Sequence, residues 1–178
     1  MPCLRVVCRE AEHREEQRSA CYNNNVANCD FSNSDISNSQ IQNSMFGKNT
    51  FIDCSLIGTK FSRSCIEDCN FTGAYFTETE FKSGGFGKNT IVNVKLNRTS
   101  FLDNGIQDVI FEGILEECHF ENCSFYGVKF QNATLLITFF KNNKKFKRVQ
   151  FINCKVDKLT YAFLKNNLAD LSGITLIS

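Results

Sequence analysis

A large apolar residue recurs at every fifth position along most of the chain. From Phe31 the series runs Ile36, Ile41, Phe46, Phe51, Leu56, Phe61, Ile66, Phe71, Phe76, Phe81, Phe86, Ile91, Leu96, Phe101, Ile106 and Phe111 without a slip. Of the 18 Phe, 16 fall on this lattice or its continuation, so the period decides where the rings go. Five fits neither the 3.6-residue helix nor the two-residue alternation of a strand. A fixed internal period is the signature of stacked repeats. Each unit reads small, polar, large apolar, then two variable positions, as in Cys29-Asp30-Phe31-Ser32-Asn33 and Ala169-Asp170-Leu171-Ser172-Gly173. The central and small residues are expected to face inward, the other three to face solvent.

These units resemble the pentapeptide-repeat family, whose consensus is Ala-(Asp/Asn)-Leu followed by two free positions. The resemblance covers about three quarters of the chain and rests on 17 units in phase. It implies an all-β fold, a right-handed quadrilateral parallel β-helix with one unit per side and four per coil. This chain departs in preferring Phe at the centre and Cys, Ser or Thr in the small slot. On that reading residues 29–161 form about seven coils stacked at the ~4.8 Å strand spacing. Residues 1–28 are expected to form an N-terminal helical cap and linker, and residues 162–178 a C-terminal cap or further repeats. Residues 20 apart then sit above one another. Phe31, Phe51, Phe71, Phe81, Phe101, Phe111, Phe120, Phe125, Phe130 and Phe151 are expected in the core. The outer column Lys48, Asp68, Lys88, Asp108 alternates in charge, as stacked neighbours favour. The segment Phe46-Gly47-Lys48-Asn49-Thr50 recurs as Phe86-Gly87-Lys88-Asn89-Thr90, two coils on.

The lattice breaks twice. Leu115 follows Phe111 by four residues, and Phe146 follows Phe140 by six, so a deletion near Gly113 is answered by an insertion. Together the two are expected to keep the columns vertical. The insertion is the most basic stretch, with Lys141, Lys144, Lys145, Lys147 and Arg148, and the coil before it is acidic, with Glu112, Glu116, Glu117 and Glu121. Tyr126 and Phe139 are rings at outward positions nearby. These five cations and two rings are the candidate partner-contacting residues, although a solvated charged corner accounts for the same lysines. The open ends of a solenoid need caps. Residues 4–20 are rich in helix formers and predict a helix. Asp157 is placed to cap a short helix through Leu159, Ala162 and Phe163, with a regular unit at 159–163 as the alternative.

Six of the ten cysteines (Cys29, Cys54, Cys69, Cys118, Cys123 and Cys154) occupy the small slot. The same slot accepts Ser34, Thr59, Ala74, Gly84, Thr99 and Val109, so it selects for size. Free, buried thiols are expected there, which suits a reducing compartment and a cytoplasmic location. The net charge of +1, from 20 basic and 19 acidic residues, predicts neither a nucleic-acid binder nor an acidic mimic of one. No apolar run approaches the roughly 18 residues of a membrane span, and the first ten residues turn charged too early for a secretory leader. His119 adjoins Cys118, but the two are expected to face opposite ways, which defeats a nucleophile–base pair. Cys3, Cys8, His13 and Cys21 are of zinc-ligand type at spacings no common site uses. Gly84-Gly85-Phe86-Gly87-Lys88 lacks the phosphate-loop pattern and carries a core Phe. The Asn-X-Ser/Thr triplets at Asn70, Asn97, Asn122 and Asn132 follow from the Asn-rich corners.

The reading is a non-catalytic scaffold with no cofactor, metal or small-molecule substrate. It binds a protein partner, with a homodimer through the C-terminal end as a further expectation. The resemblance supplies two alternatives: a DNA mimic that binds gyrase or topoisomerase, of the quinolone-resistance type, and a recognition domain of a larger protein.

Overall fold

The computed structural model describes residues 9–10 and 19–177. Each five-residue unit supplies one short strand or bridge and one corner. The corner lies two residues after the central one and takes a left-handed backbone conformation. Among the described residues 22 non-glycine residues sit there, 14 of them Asn or Asp, the types that tolerate this region best. The chain turns at every unit, which is why neither helix nor long strand develops.

Four turns close a coil, and the coils stack in parallel register. The first face runs Ser19–Tyr22, Gln40–Gln42, Lys60–Ser62, Glu80–Lys82, Ser100–Leu102, His119–Glu121 and Phe139–Lys141. The second runs from Asn25–Ala27 through Met45–Gly47, Cys65–Glu67, Gly85–Gly87 and Gly105–Gln107 to Ser124–Tyr126. The third and fourth faces are held by single bridges in the early coils, such as Asp30–Thr50 and Asp35–Ser55. They become continuous strands at Ile110–Glu116 and Lys129–Leu136. The molecule is thus a quadrilateral parallel β-helix of about 8 turns.

The interior is organised by two columns of rings. On the first face Phe61, Phe81, Phe101, Phe120 and Phe140 stack at centroid spacings of 4.9–5.1 Å with nearly parallel planes. On the third, Phe31, Phe51 and Phe71 stack at 4.8–4.9 Å, and Phe111, Phe130 and Phe151 at 4.9–5.1 Å. The columns meet edge to face, as between Phe111 and Phe120 at 85°, a preferred aromatic arrangement. Every expected core Phe is buried except Phe31, which is half-buried in the first coil.

The small slot does more than accept small residues. Thr59, Thr79, Thr99 and Thr138 donate their hydroxyls to backbone carbonyls of the preceding coil, at Ile36, Leu56, Phe76 and Leu115. Asn49, Asn89 and Asn104 bridge twice. Each amide nitrogen donates to a carbonyl of the coil before, and each amide oxygen accepts the N–H of Cys29, Cys69 or Gly84. The slot therefore ties coils together, and the Asn49/Asn89 echo in the sequence is one bond pattern used twice. Among the described residues no buried side-chain polar atom lacks a partner, so these groups stabilise where unpaired ones would cost.

The two irregularities are absorbed where they occur. The register steps by 19 residues from Phe101 to Phe120, with the shift taken up between Phe111 and Gly113, whose φ is +81°. It steps by 21 from Phe130 to Phe151, with the extra residue taken up at left-handed Lys145 and a 3-10 turn, Phe146–Arg148. Phe146 stays inside.

The ends correct several expectations. The coils begin ahead of residue 29. Cys21 and Val26 lie in register with Ile41 and Phe46, and a cysteine and a valine at the centre hid these units. With Ile174–Leu176 pairing onto Cys154–Val156, this raises the count above seven coils. Of the helix expected over 4–20, residues Arg9–Glu10 are instead a strand antiparallel to Ser19–Tyr22. An extended segment satisfies the open edge of the first coil, which a helix would leave unpaired. The rest of that expectation lies outside the described residues. At the other end the helix is Lys158–Asn166, so Tyr161 lies on it and not at the centre of a regular unit 159–163. Thr160 fills the small slot and accepts the Thr138 N–H at 2.9 Å.

The thiols divide likewise. Cys54, Cys69, Cys118, Cys123 and Cys154 are free and buried, and burial pushes Cys54, Cys118 and Cys123 up to about 12. Cys29 departs from the expectation. It and Cys21 are disulfide-bonded. Both belong to the first coil, which is stacked on one side only, whereas an inner slot is closed by coils above and below.

Asp157 joins the last coil to its helix. Its carboxylate accepts the Thr160 N–H at 2.7 Å, as an N-cap, and the Ile137 N–H at 2.6 Å. Ile137 is β-branched yet left-handed at φ +49°, a conformation disfavoured for its type and held by this bond. Burial alone would raise the Asp157 carboxyl, but the bonds from Thr160 and Ile137 outweigh it and hold the group below its usual range.

Two predictions follow from the stacking and the cap. Phe101→Ala, in mid-column, should cost about 3–5 kcal/mol in urea unfolding, and Phe31→Ala at the open end clearly less. Equal losses would contradict a load shared along the column. Asp157→Ala should cost about 0.5–2 kcal/mol. Because the folded-state pKa is depressed, this contribution is present above the ordinary value of 3.8 and is lost as pH falls below it. Wild type and variant should converge in stability in that acid range, and a gap that persists there would refute the assignment.

Candidate interaction face

The coiling separates the seven residues singled out from the sequence. Phe139 and Lys141 lie on the first face. Phe139 is half-buried, sandwiched between His119 at 4.5 Å and Phe163 of the helix at 5.1 Å. It anchors the helix to the coil edge. Lys141 is paired with Glu121 at 2.8 Å. Tyr126, Lys144 and Lys145 come together at the end of the second face. Lys144 sits in register with Ser124, and the Lys145 ammonium lies 5.9 Å from the Tyr126 ring centroid. Lys147 and Arg148 follow on the 3-10 turn, both exposed.

The charges nearby are used differently. Arg98 bridges Glu78 at 3.2 Å and Glu117 at 3.0 Å, one coil to each side. Glu116 accepts from Asn97, and Glu112 from Gln131. The acidic coil is thus spent on ladders between coils. Among the described residues no carboxylate pairs with Lys144, Lys145, Lys147 or Arg148. The alternating column Lys48, Asp68, Lys88, Asp108 forms no ion pair among them either, so it marks register only.

Sequence reasoning missed the shape of the second face. Its outward positions run Met45, Cys65, Gly85, Gly105, Ser124, Lys144 in one column and Gly47, Glu67, Gly87, Gln107, Tyr126 in the other. Where side chains are absent the face is hollow. A groove of about 560 Å³ has Gly85, Gly87 and Gly105 in its floor, Glu67 at one end, and Tyr126 and Lys145 at the other. The signal was legible as glycines 20 residues apart in one outward slot.

The remaining candidates separate as their facing requires. The Cys118 thiol is buried and donates to the Leu96 carbonyl at 3.5 Å, while His119 is exposed. Phe86 is buried in a strand, so Gly84–Lys88 is no phosphate loop. Cys3, Cys8 and His13 lie outside the described residues. Among the described residues no cluster of His, Cys, Asp and Glu could hold a metal, and no helix is long and apolar enough to cross a membrane.

The family model described as pentapeptide repeats (8 copies) matches residues 51–83. It indicates no catalytic family. No curated protein sequence matches the chain. Among solved structures, full-length QnrB1, a plasmid-mediated fluoroquinolone resistance protein, is similar at 17% identity and a TM-score of 0.56, over 89% of this chain and 84% of that one. A trypsin-treated form of QnrB1 is similar at 16% identity and a TM-score of 0.51, over 90% and 84%. HetL, a pentapeptide repeat protein involved in heterocyst differentiation regulation from the cyanobacterium Nostoc, is similar at 11% identity and a TM-score of 0.35, over 83% and 79%. The family model thus marks residues 51–83 as pentapeptide repeats, and the five-residue lattice and the four-sided coils it builds extend the same pattern on either side.

Proposed function

We propose that the chain is a non-catalytic repeat scaffold that binds a protein partner through the C-terminal part of its second face. The observation that carries this reading is the cluster Lys144, Lys145, Lys147 and Arg148, which has no carboxylate partner among the described residues and stands beside the exposed ring of Tyr126. Exposed aromatic and cationic groups together are the composition of an interaction surface. Glu112, Glu116, Glu117 and Glu121 of the coil before are engaged between coils, so these cations are available to a partner. QnrB1 is a plasmid-mediated fluoroquinolone resistance protein, but at 17% identity that likeness carries the fold alone. The net charge of +1 and the exposed cations speak against an acidic, DNA-like face on this chain.

A photo-crosslinking residue placed at Tyr126 should capture a discrete protein from source cells, and one placed at Lys60 on the first face should not. Reversing all four cations to Glu should weaken capture at least about tenfold. Equal adducts at both sites, or capture unchanged by charge reversal, would sink the reading.

Self-association through the C-terminal end is a second reading. It is supported by the outer edge of Ile174–Leu176, which among the described residues pairs only with Cys154–Val156, and by the exposure of Leu168 and Leu176. Open strand edges invite pairing. Sedimentation should show a dimer that Leu176→Lys dissociates, and a wild-type monomer at high concentration would end this reading.

A further inference from the structure

The glycines of the second face differ from the others in what the fold asks of them. A side chain at Gly84 or Gly173 would strike backbone at about 2 Å, and Gly58, Gly73, Gly113 and Gly127 occupy left-handed corners. At Gly58, Gly73 and Gly127 a Cβ would also press on the Asn38, Asp53 or Asp108 side chain, so each of these six has a backbone or contact reason to be glycine. Gly85, Gly87 and Gly105 have ordinary strand backbone. A Cβ at Gly105 would meet nothing within 4 Å. At Gly85 and Gly87 the nearest atoms would lie at 3.6 Å, an ordinary contact. Neither space nor conformation demands these three, and glycine inside a strand weakens it through backbone entropy and lost packing. Their joint effect is to keep the groove open.

The rim of the groove is polar in one direction. Lys145 and Tyr126 close one end, with Lys144 next to Ser124 in the adjoining column. Glu67 closes the other. An anionic group is attracted to the first end and repelled from the second. The floor at Gly85 and Gly105 is peptide planes and glycine methylene groups on which a ring can lie, with the Gln107 side chain beside it between Gly87 and Tyr126.

We propose that this groove seats an extended acidic segment of a protein partner, with an aromatic side chain on the Gly85–Gly105 floor and its carboxylates at Lys144 and Lys145. The proposal rests on the scaffold reading and names the partner chemistry of that face. The groove is open along its length, so a segment can enter sideways without threading. The Glu67 end fixes the direction in which it lies.

The test is a titration of the whole isotope-labelled chain, followed by NMR, with an acetylated and amidated pentapeptide of two aspartates, a phenylalanine and two aspartates. Saturating shifts are expected at the amides of Gly85, Gly87, Gly105, Ser124 and Tyr126. Replacing the phenylalanine by alanine, or the aspartates by lysines, should weaken binding at least about tenfold. Gly105→Leu fills the floor where space is free, so its melting temperature should match wild type while binding falls by a similar factor. Lys144→Glu with Lys145→Glu should do the same. Equal binding by the lysine peptide, undiminished binding by Gly105→Leu, or shifts scattered outside the groove would overturn the proposal. If Gly105→Leu also keeps the Tyr126 crosslink, the groove assignment falls and the scaffold reading stands. If no crosslink forms in wild type, both fall.

Discussion

Everything in this molecule depends on one coil resting on the next at the strand spacing of about 4.8 Å. That distance falls within the range of about 4.5–7 Å preferred between aromatic ring centroids, and the Phe columns occupy it at 4.8–5.1 Å. The same spacing lets a threonine hydroxyl or an asparagine amide reach a carbonyl one coil back. Apolar stacking and buried hydrogen bonding therefore run along the same axis. Neither acts across long stretches of sequence, so stability accumulates coil by coil. The end coils, with one neighbour each, are where the chain changes its solution: an antiparallel strand and disulfide-bonded cysteines at one end, a capped helix at the other.

How much of this was legible varied with the kind of residue. The central Phe positions were readable because a ring in each of many units in phase has no competing explanation. The small slot was only half readable. Cys, Ser, Thr, Ala, Gly and Val suggested a size limit, which concealed the larger Asn49, Asn89 and Asn104 doing structural work in the same place. For Asn49 and Asn89 the signal was the repeated Lys-Asn-Thr triplet. Helix formers near the N-terminus misled at Arg9–Glu10, because local propensity was weighed without the open edge beside it. At the other end two residues gave a clue in plain sight. Phe139 and Phe163 are the only Phe off the lattice, and they pack on each other to hold the terminal helix.

The candidate face was harder to see, for a physical reason. A sequence shows which residues are basic but not which are already paired. Lys141 and Lys144 look alike in the chain, yet coiling sets one beside Glu121 and leaves the other without a carboxylate among the described residues. A groove made by missing side chains is harder still, since it is written in glycines that are otherwise read as turns. Only when each glycine is asked what a methyl group would touch do the permissive ones separate from the obligatory ones.

The coils of 19 and 21 residues carry a consequence for how this surface changes in evolution. Each odd residue is absorbed at a single corner, and the next strand resumes its place on the proper face. Address on the surface is therefore counted in corners passed, not in residues. Single-codon insertions and deletions at corners become conservative changes, of the sort usually reserved for surface loops. A chain of this kind can lose or gain a residue at a corner and still set its next strand on the same face.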